Sequence, residues 1–114
     1  MNSELQKNVN QLLDNKLLNK RASILFKLAS YDMVTDDKVK GHENDLYDAL
    51  VENSRAMVKL VDMDNYYSSD VISLIKAVND SISTLPASAL FRECSLSSLA
   101  KLNGLYLGNL VTGV

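Results

Sequence analysis

Apolar residues recur along most of this chain at helical spacing. Leu5, Val9, Leu12 and Leu13 fall at i, i+4, i+7 and i+8, one face of a helix. Ser3 and Gln6 stand at its head in the arrangement of a capping box, where a hydroxyl and a carboxamide satisfy the first orphan N–H groups. Apolar positions continue through Leu17, Leu18, Ala22, Leu25, Phe26, Leu28 and Ala29. One helix reaching about Tyr31 fits this run. So do two helices separated near Asp14-Asn15 or Asn19, and the backbone-competing side chains there favour the break. Residues Thr35 to Gly41 read as a polar turn.

A strong helix is predicted from about His42 to Met63, with Leu46, Tyr47, Leu50, Val51, Met57, Val58, Leu60 and Val61 as its apolar set. Its acids Glu43, Asp45 and Asp48 lie near the start, as the helix dipole prefers. Asp64 to Tyr67 read as a connector, and Ser68 or Ser69 as the next N-cap. Val71, Ile75, Val78, Ile82 and Leu85 then repeat at spacings of 4, 3, 4 and 3, the cleanest amphipathic stripe in the chain. Pro86 ends that helix and suits the start of another, which carries Leu90, Phe91 and Cys94. A last short helix is expected from about Ser97 to Asn103, with Gly104 as its C-cap. In the tail, Gly108-Asn109 between two apolar triplets matches a two-residue hairpin loop, and a short helix fits as well. The pattern as a whole predicts an all-α fold: one domain over residues 1–114, an antiparallel bundle of four to six helices, with a short hairpin or short helix at the tail. The helices at 42–63 and 69–85 should be neighbours, with the N-terminal region packed against both.

Composition adds where the bundle meets its surroundings. The 114 residues are 46% hydrophobic and 23% charged, which is an ordinary globular balance. Residues 68–114 carry only three cations and three anions, too few for a solvated surface, so this third is expected to be core or to face a partner. The net charge of -2 argues against a non-specific nucleic-acid binder. A single cysteine fits a reducing compartment. The first residues lack the basic patch and apolar run of a signal peptide, and no apolar stretch is long enough to span a bilayer. A cytoplasmic protein without membrane contact is expected.

Candidate chemistry is sparse. His42-Glu43 starts like a zinc-protease motif, but Leu46 stands where the second histidine belongs. Asp36 to Gly41 has the glycine of a calcium loop, but Lys38 and Lys40 occupy ligand positions. Cys94 has no sequence-local histidine or second cysteine and reads as a small buried hydrophobe. No catalytic, metal or cofactor site and no small-molecule substrate is expected. Lys16, Lys20, Arg21 and Lys27 form a modest basic patch that suits phosphates, an acidic partner or pairing with the acidic middle segment, and a solvated face is the commoner reading of such a patch.

Residues 95–114 resemble the helix-turn-helix of lac-repressor-type regulators. Leu99 and Ala100 take the inward positions of the first helix, Gly104 the turn, Leu105 the plug beneath it and Leu110 the anchor of the second helix. The resemblance implies DNA reading, with Asn109 and Thr112 as the side chains able to bond base edges beyond Tyr106. The sequence departs from the family in having no Arg or Lys in that second helix.

The favoured expectation is a non-enzymatic protein–protein interaction module. It would be a small helical subunit, adaptor or inhibitor that binds a protein partner or itself as a homo-oligomer. In size and texture it is similar to small phage- or plasmid-encoded helical proteins. The contact residues expected are Tyr66, Tyr67, Phe91, Tyr106, Leu107 and Leu110, since aromatic anchors dominate interfaces. The alternative is a DNA-associated regulator using the degenerate helix-turn-helix, or the basic face of Lys16, Lys20, Arg21 and Lys27.

Overall fold

Short polar side chains begin most of the helices. Ser3 Oγ accepts the Gln6 N–H at 3.0 Å and starts α1 (Glu4–Leu13). Asn15 Oδ1 accepts the Leu18 N–H at 3.0 Å and starts α2 (Lys16–Arg21), so the chain does break at Asp14-Asn15. The long helix α3 (Glu43–Met63) follows Gly41, whose φ of 93° lies in the left-handed region that glycine tolerates. Ser68 caps α4 (Ser69–Thr84) through the Val71 N–H. Leu85, held extended before Pro86, ends α4, and Pro86 opens α5 (Ala87–Glu93). Ser95 Oγ accepts the Ser98 N–H and starts α6 (Leu96–Gly113). This computed structural model describes residues 3–22 and 40–113. Among them it contains these six helices and no strand, an all-α bundle. The expected continuation of the first helix to Tyr31 and the turn from Thr35 lie outside the described residues.

A few bonds set the directions of the helices. Tyr47, near the start of α3, donates its hydroxyl to the Leu85 carbonyl beyond the end of α4 at 3.0 Å, so α3 and α4 are antiparallel. Asn53 bonds Asn103 at 2.7 Å and Tyr67 bonds Asn109, so α6 runs parallel to α3. At the foot of the bundle the Gln6 carboxamide accepts the Ser95 N–H at 2.9 Å and donates to Ser98 at 3.2 Å. Ser3 also donates to the Glu93 carbonyl there. The capping box is therefore half formed: the Ser3 cap is present, but the Gln6 side chain bonds the head of α6. At the opposite end Asn109 bonds the Leu18 carbonyl, so α1 and α2 also run parallel to α6 and antiparallel to α4.

The core is drawn from all six helices. Leu5, Val9 and Leu12 of α1, Leu50, Met57 and Val61 of α3, and Val71, Ile75, Val78 and Ile82 of α4 are buried, as their stripes predict. Helix α6 is different. Leu99, Leu102, Leu105 and Tyr106 are buried, and Gly104 and Gly108 with them. It packs against α1, α2 and α3 at once. A helix covered on several sides needs few charges, and Lys101 is the only one α6 has.

Two expectations are corrected here. The tail forms neither a hairpin nor a short helix ending at Asn103: α6 continues through Gly104 to Gly113. Both glycines are enclosed by neighbouring helices, whose packing offsets the roughly 1 kcal/mol that a helical glycine costs relative to alanine. Among the described residues, the N-terminal helices do not pack against α3 and α4 as a pair. Helix α1 lies on α4 and α6, and α2 lies on α6.

Candidate functional site

The end of the bundle where α3 gives way to α4 gathers residues expected in two separate roles. Arg21, at the end of α2, places Nη2 2.5 Å from Asp64 Oδ2, with side chains 14% and 26% exposed. Its guanidinium carbon lies 4.3 Å from the Tyr66 ring centre and 5.2 Å from that of Tyr67. The two rings meet edge to face at 5.6 Å. Asp64 also accepts the Tyr66 N–H at 2.9 Å, which fixes the carboxylate toward Arg21. Burial opposes the Arg21 charge, but the Asp64 bond and the negative neighbours outweigh it and raise its pKa. The Arg21 bond, then the Tyr66 N–H, hold the Asp64 carboxyl below its ordinary range. Burial raises the Tyr67 phenol, against the pull of Arg21.

Asn109 joins the same node from α6. It is fully buried. Its Nδ2 donates to the Leu18 carbonyl at 3.0 Å and to the Leu105 carbonyl at 2.8 Å, and its Oδ1 accepts the Tyr67 hydroxyl at 3.3 Å. Two carbonyls against one end of the carboxamide identify that end as nitrogen. Arg21 and Asn109, expected on nucleic acid, and Tyr67, expected on a partner, thus meet in one internal lock between α2, α6 and the α3–α4 connector.

The remaining expected residues are dispersed. Tyr106 is fully buried on α6 facing Ser54 of α3, and burial pushes its phenol pKa up against the pull of that hydroxyl. Neither hydroxyl has a hydrogen-bond partner. Tyr106 is therefore part of this chain's own core. Phe91, at the foot, and Leu110, on α6, are half-buried against the core, and Leu107 of α6 is half-buried. Lys16 and Lys20 are exposed on α2. Lys27 lies outside the described residues, and Thr112 falls in the last turn of α6. The helix-turn-helix is corrected outright. No turn occurs at Gly104, and the fully buried Asn109 faces Leu18 and Tyr67, so it cannot reach a base edge.

Three surface features were missed in the sequence, the exposed Met63 and Val111 and a groove, whereas Tyr66 was already expected as a contact residue. Met63, Tyr66 and Val111 are 84%, 40% and 53% exposed. Since α3 and α6 are parallel, all three sit at the Tyr66 end of the bundle. Met63 reads from sequence as the last turn of an amphipathic helix, and only the fold shows that no described neighbour covers it. The third feature is a groove of about 470 Å³ between α1 and α4, lined by Glu4, Asn8, Gln11, Asn15, Asp70 and Leu74 among others.

Reactive groups do not converge. Burial raises the Cys94 thiol to about 12, so it carries almost no thiolate at neutral pH. His42 is exposed at the head of α3, 3.9 Å from Asp45. Among the described residues no cluster of His, Cys, Asp or Glu could hold a metal ion, and no helix is long and apolar enough to cross a membrane. Comparison of the chain with protein-family models, with characterised proteins and with solved structures gives no match.

Proposed function

We propose that this protein is a non-enzymatic interaction module of the cytoplasm, a small helical subunit, adaptor or inhibitor that works by surface contact with a protein partner or a second copy of itself. The observation carrying this reading is the cluster of uncovered apolar side chains, Met63, Tyr66 and Val111, at one end of the bundle. The Arg21–Asp64 pair and the Asn109 bonds directly beneath hold that end together. Such a surface is pre-organised, so a partner that covers it orders little on binding. The inert thiol of Cys94 favours contact over covalent chemistry.

The test is sedimentation over a concentration series, for the wild type and for a Met63→Glu, Val111→Glu double variant. Self-association abolished by the substitutions supports the reading in its homo-oligomeric form. A strict monomer at high concentration removes self-assembly and leaves a different protein as the partner. Tight duplex DNA binding that weakens steeply with salt overturns the reading in favour of a DNA-associated regulator.

A further inference from the structure

Helix α3 turns a stripe of four charges toward solvent. Asp48, Glu52, Arg55 and Lys59 are all exposed and are spaced by 4, 3 and 4, so they share one face within an arc of about 60°. Their order along the helix is two acids followed by two bases. An isolated helix gains from opposite charges at i, i+4, whereas this stripe sets Glu52 after Asp48 and Lys59 after Arg55, two like pairs that repel. The helix dipole does not account for the grouping, because its effect is confined to the first and last turns and all four residues lie between them. Ion pairs among the described residues join Arg21 to Asp64, His42 to Asp45 and Lys76 to Asp62, and they leave the four charges of the stripe without a partner.

We infer that a second copy of this chain docks on this face, α3 against α3 in antiparallel register about a two-fold axis between Asn53 and Ser54. Read in reverse, two acids followed by two bases is its own complement. Residues equidistant from the axis face each other in an isologous pair, so Asp48 meets Lys59 of the second copy and Glu52 meets Arg55, each contact occurring twice. Asp45 and Asp62 are equidistant as well, but they lie about 100° apart around the helix, on opposite flanks of the stripe, and Asp62 is held by Lys76 at 3.0 Å. A parallel in-register pair would set every charge of the stripe against its like, so among two-fold pairs the pattern fixes the direction. Half-buried Val51 and Ala56 border the stripe on its two sides and supply apolar contact. The dimer rests on the interaction-module reading in its self-associating form, but it uses the middle of α3 rather than the end at Met63, Tyr66 and Val111.

Charge reversal provides the test. Sedimentation equilibrium at low ionic strength is run on the wild type, on an Asp48→Lys, Glu52→Lys variant, on an Arg55→Glu, Lys59→Glu variant, and on an equimolar mixture of the two variants. All four positions are exposed, so both variants should keep the wild-type circular dichroism. The wild type should dimerise, and its dimer should weaken as salt rises. Each variant alone turns the four attractive contacts into repulsive ones and is expected to weaken self-association at least about tenfold. The mixture is expected to recover the dimer, because one chain then carries four bases where the other carries four acids. A dimer indifferent to the reversals, or variants that fail to combine when mixed, overturns the α3 register while leaving the module reading intact. A wild type that stays monomeric overturns the dimer, and the module reading then rests on a different partner.

Discussion

Asn109 is the residue whose replacement tests the packing of this fold most directly. Its carboxamide makes three bonds in a site with no exposure. In Asn109→Ala the Leu18 carbonyl keeps the Ala22 N–H at 2.9 Å, and the Leu105 carbonyl keeps its place in the helix. The buried Tyr67 hydroxyl loses the partner it has. Net losses of about 1 kcal/mol for each of the two carbonyl bonds, plus about 1–3 kcal/mol for the orphaned hydroxyl, give roughly 3–5 kcal/mol. That is a large part of the roughly 5–15 kcal/mol that holds a domain folded. Asn109→Asp is worse at neutral pH, because it sets a carboxylate oxygen against two carbonyl oxygens where an NH₂ donated before. The folded-state pKa of that Asp must lie above its unfolded value. Its penalty is therefore complete above the folded pKa and shrinks as pH falls toward the unfolded value near ~3.9, where the protonated acid donates one bond again. Chemical denaturation followed by circular dichroism, at neutral and acid pH, measures both. The gap between wild type and Asn109→Asp should narrow on acidification, while that of Asn109→Ala should not. A loss under about 0.5 kcal/mol for the alanine variant, or a pH-independent gap for the aspartate, would refute the claim that this amide is a buried, fully bonded tie.

Other consequences follow from the same geometry. Because Arg21 depresses the Asp64 pKa in the fold, the pair contributes stability above the ordinary carboxylate range and loses it as pH falls through the folded value. Thermal melts of Asp64→Asn should therefore fall below wild type at pH 7 and converge with it in strong acid. Tyr106→Phe removes a buried hydroxyl that lacks a partner, so equilibrium unfolding should show it neutral or stabilised by up to about 1 kcal/mol, and a large loss would mean that the Ser54 contact is a genuine bond. Gly41→Ala should cost about 1–2 kcal/mol by the same measurement, from the 93° φ alone, since a Cβ there meets nothing within 4 Å.

Most helix boundaries were legible because their causes are local. Ser3, Asn15, Ser68 and Pro86 act on backbone groups within a few residues, and each stands where a helix begins. The buried stripe of α4 was legible for the same reason, since a period of 3.6 needs only one face to be covered. The last third was not. Gly104, Gly108-Asn109 and an apolar surround carry turn signals, and locally a cap, a hairpin or a helix-turn-helix satisfies them equally well. The choice was made by α1, α2 and α3, which enclose α6 and stabilise a helix that its own propensity does not. The same enclosure moved Tyr106 from a candidate anchor to the core, and Asn109 from a base-reading position to the lock beneath Tyr67. Sequence by itself determined that the chain is helical and where its capped helices start. The tertiary structure alone decided which polar residues face inward, because burial and pairing depend on neighbours that are distant in the chain.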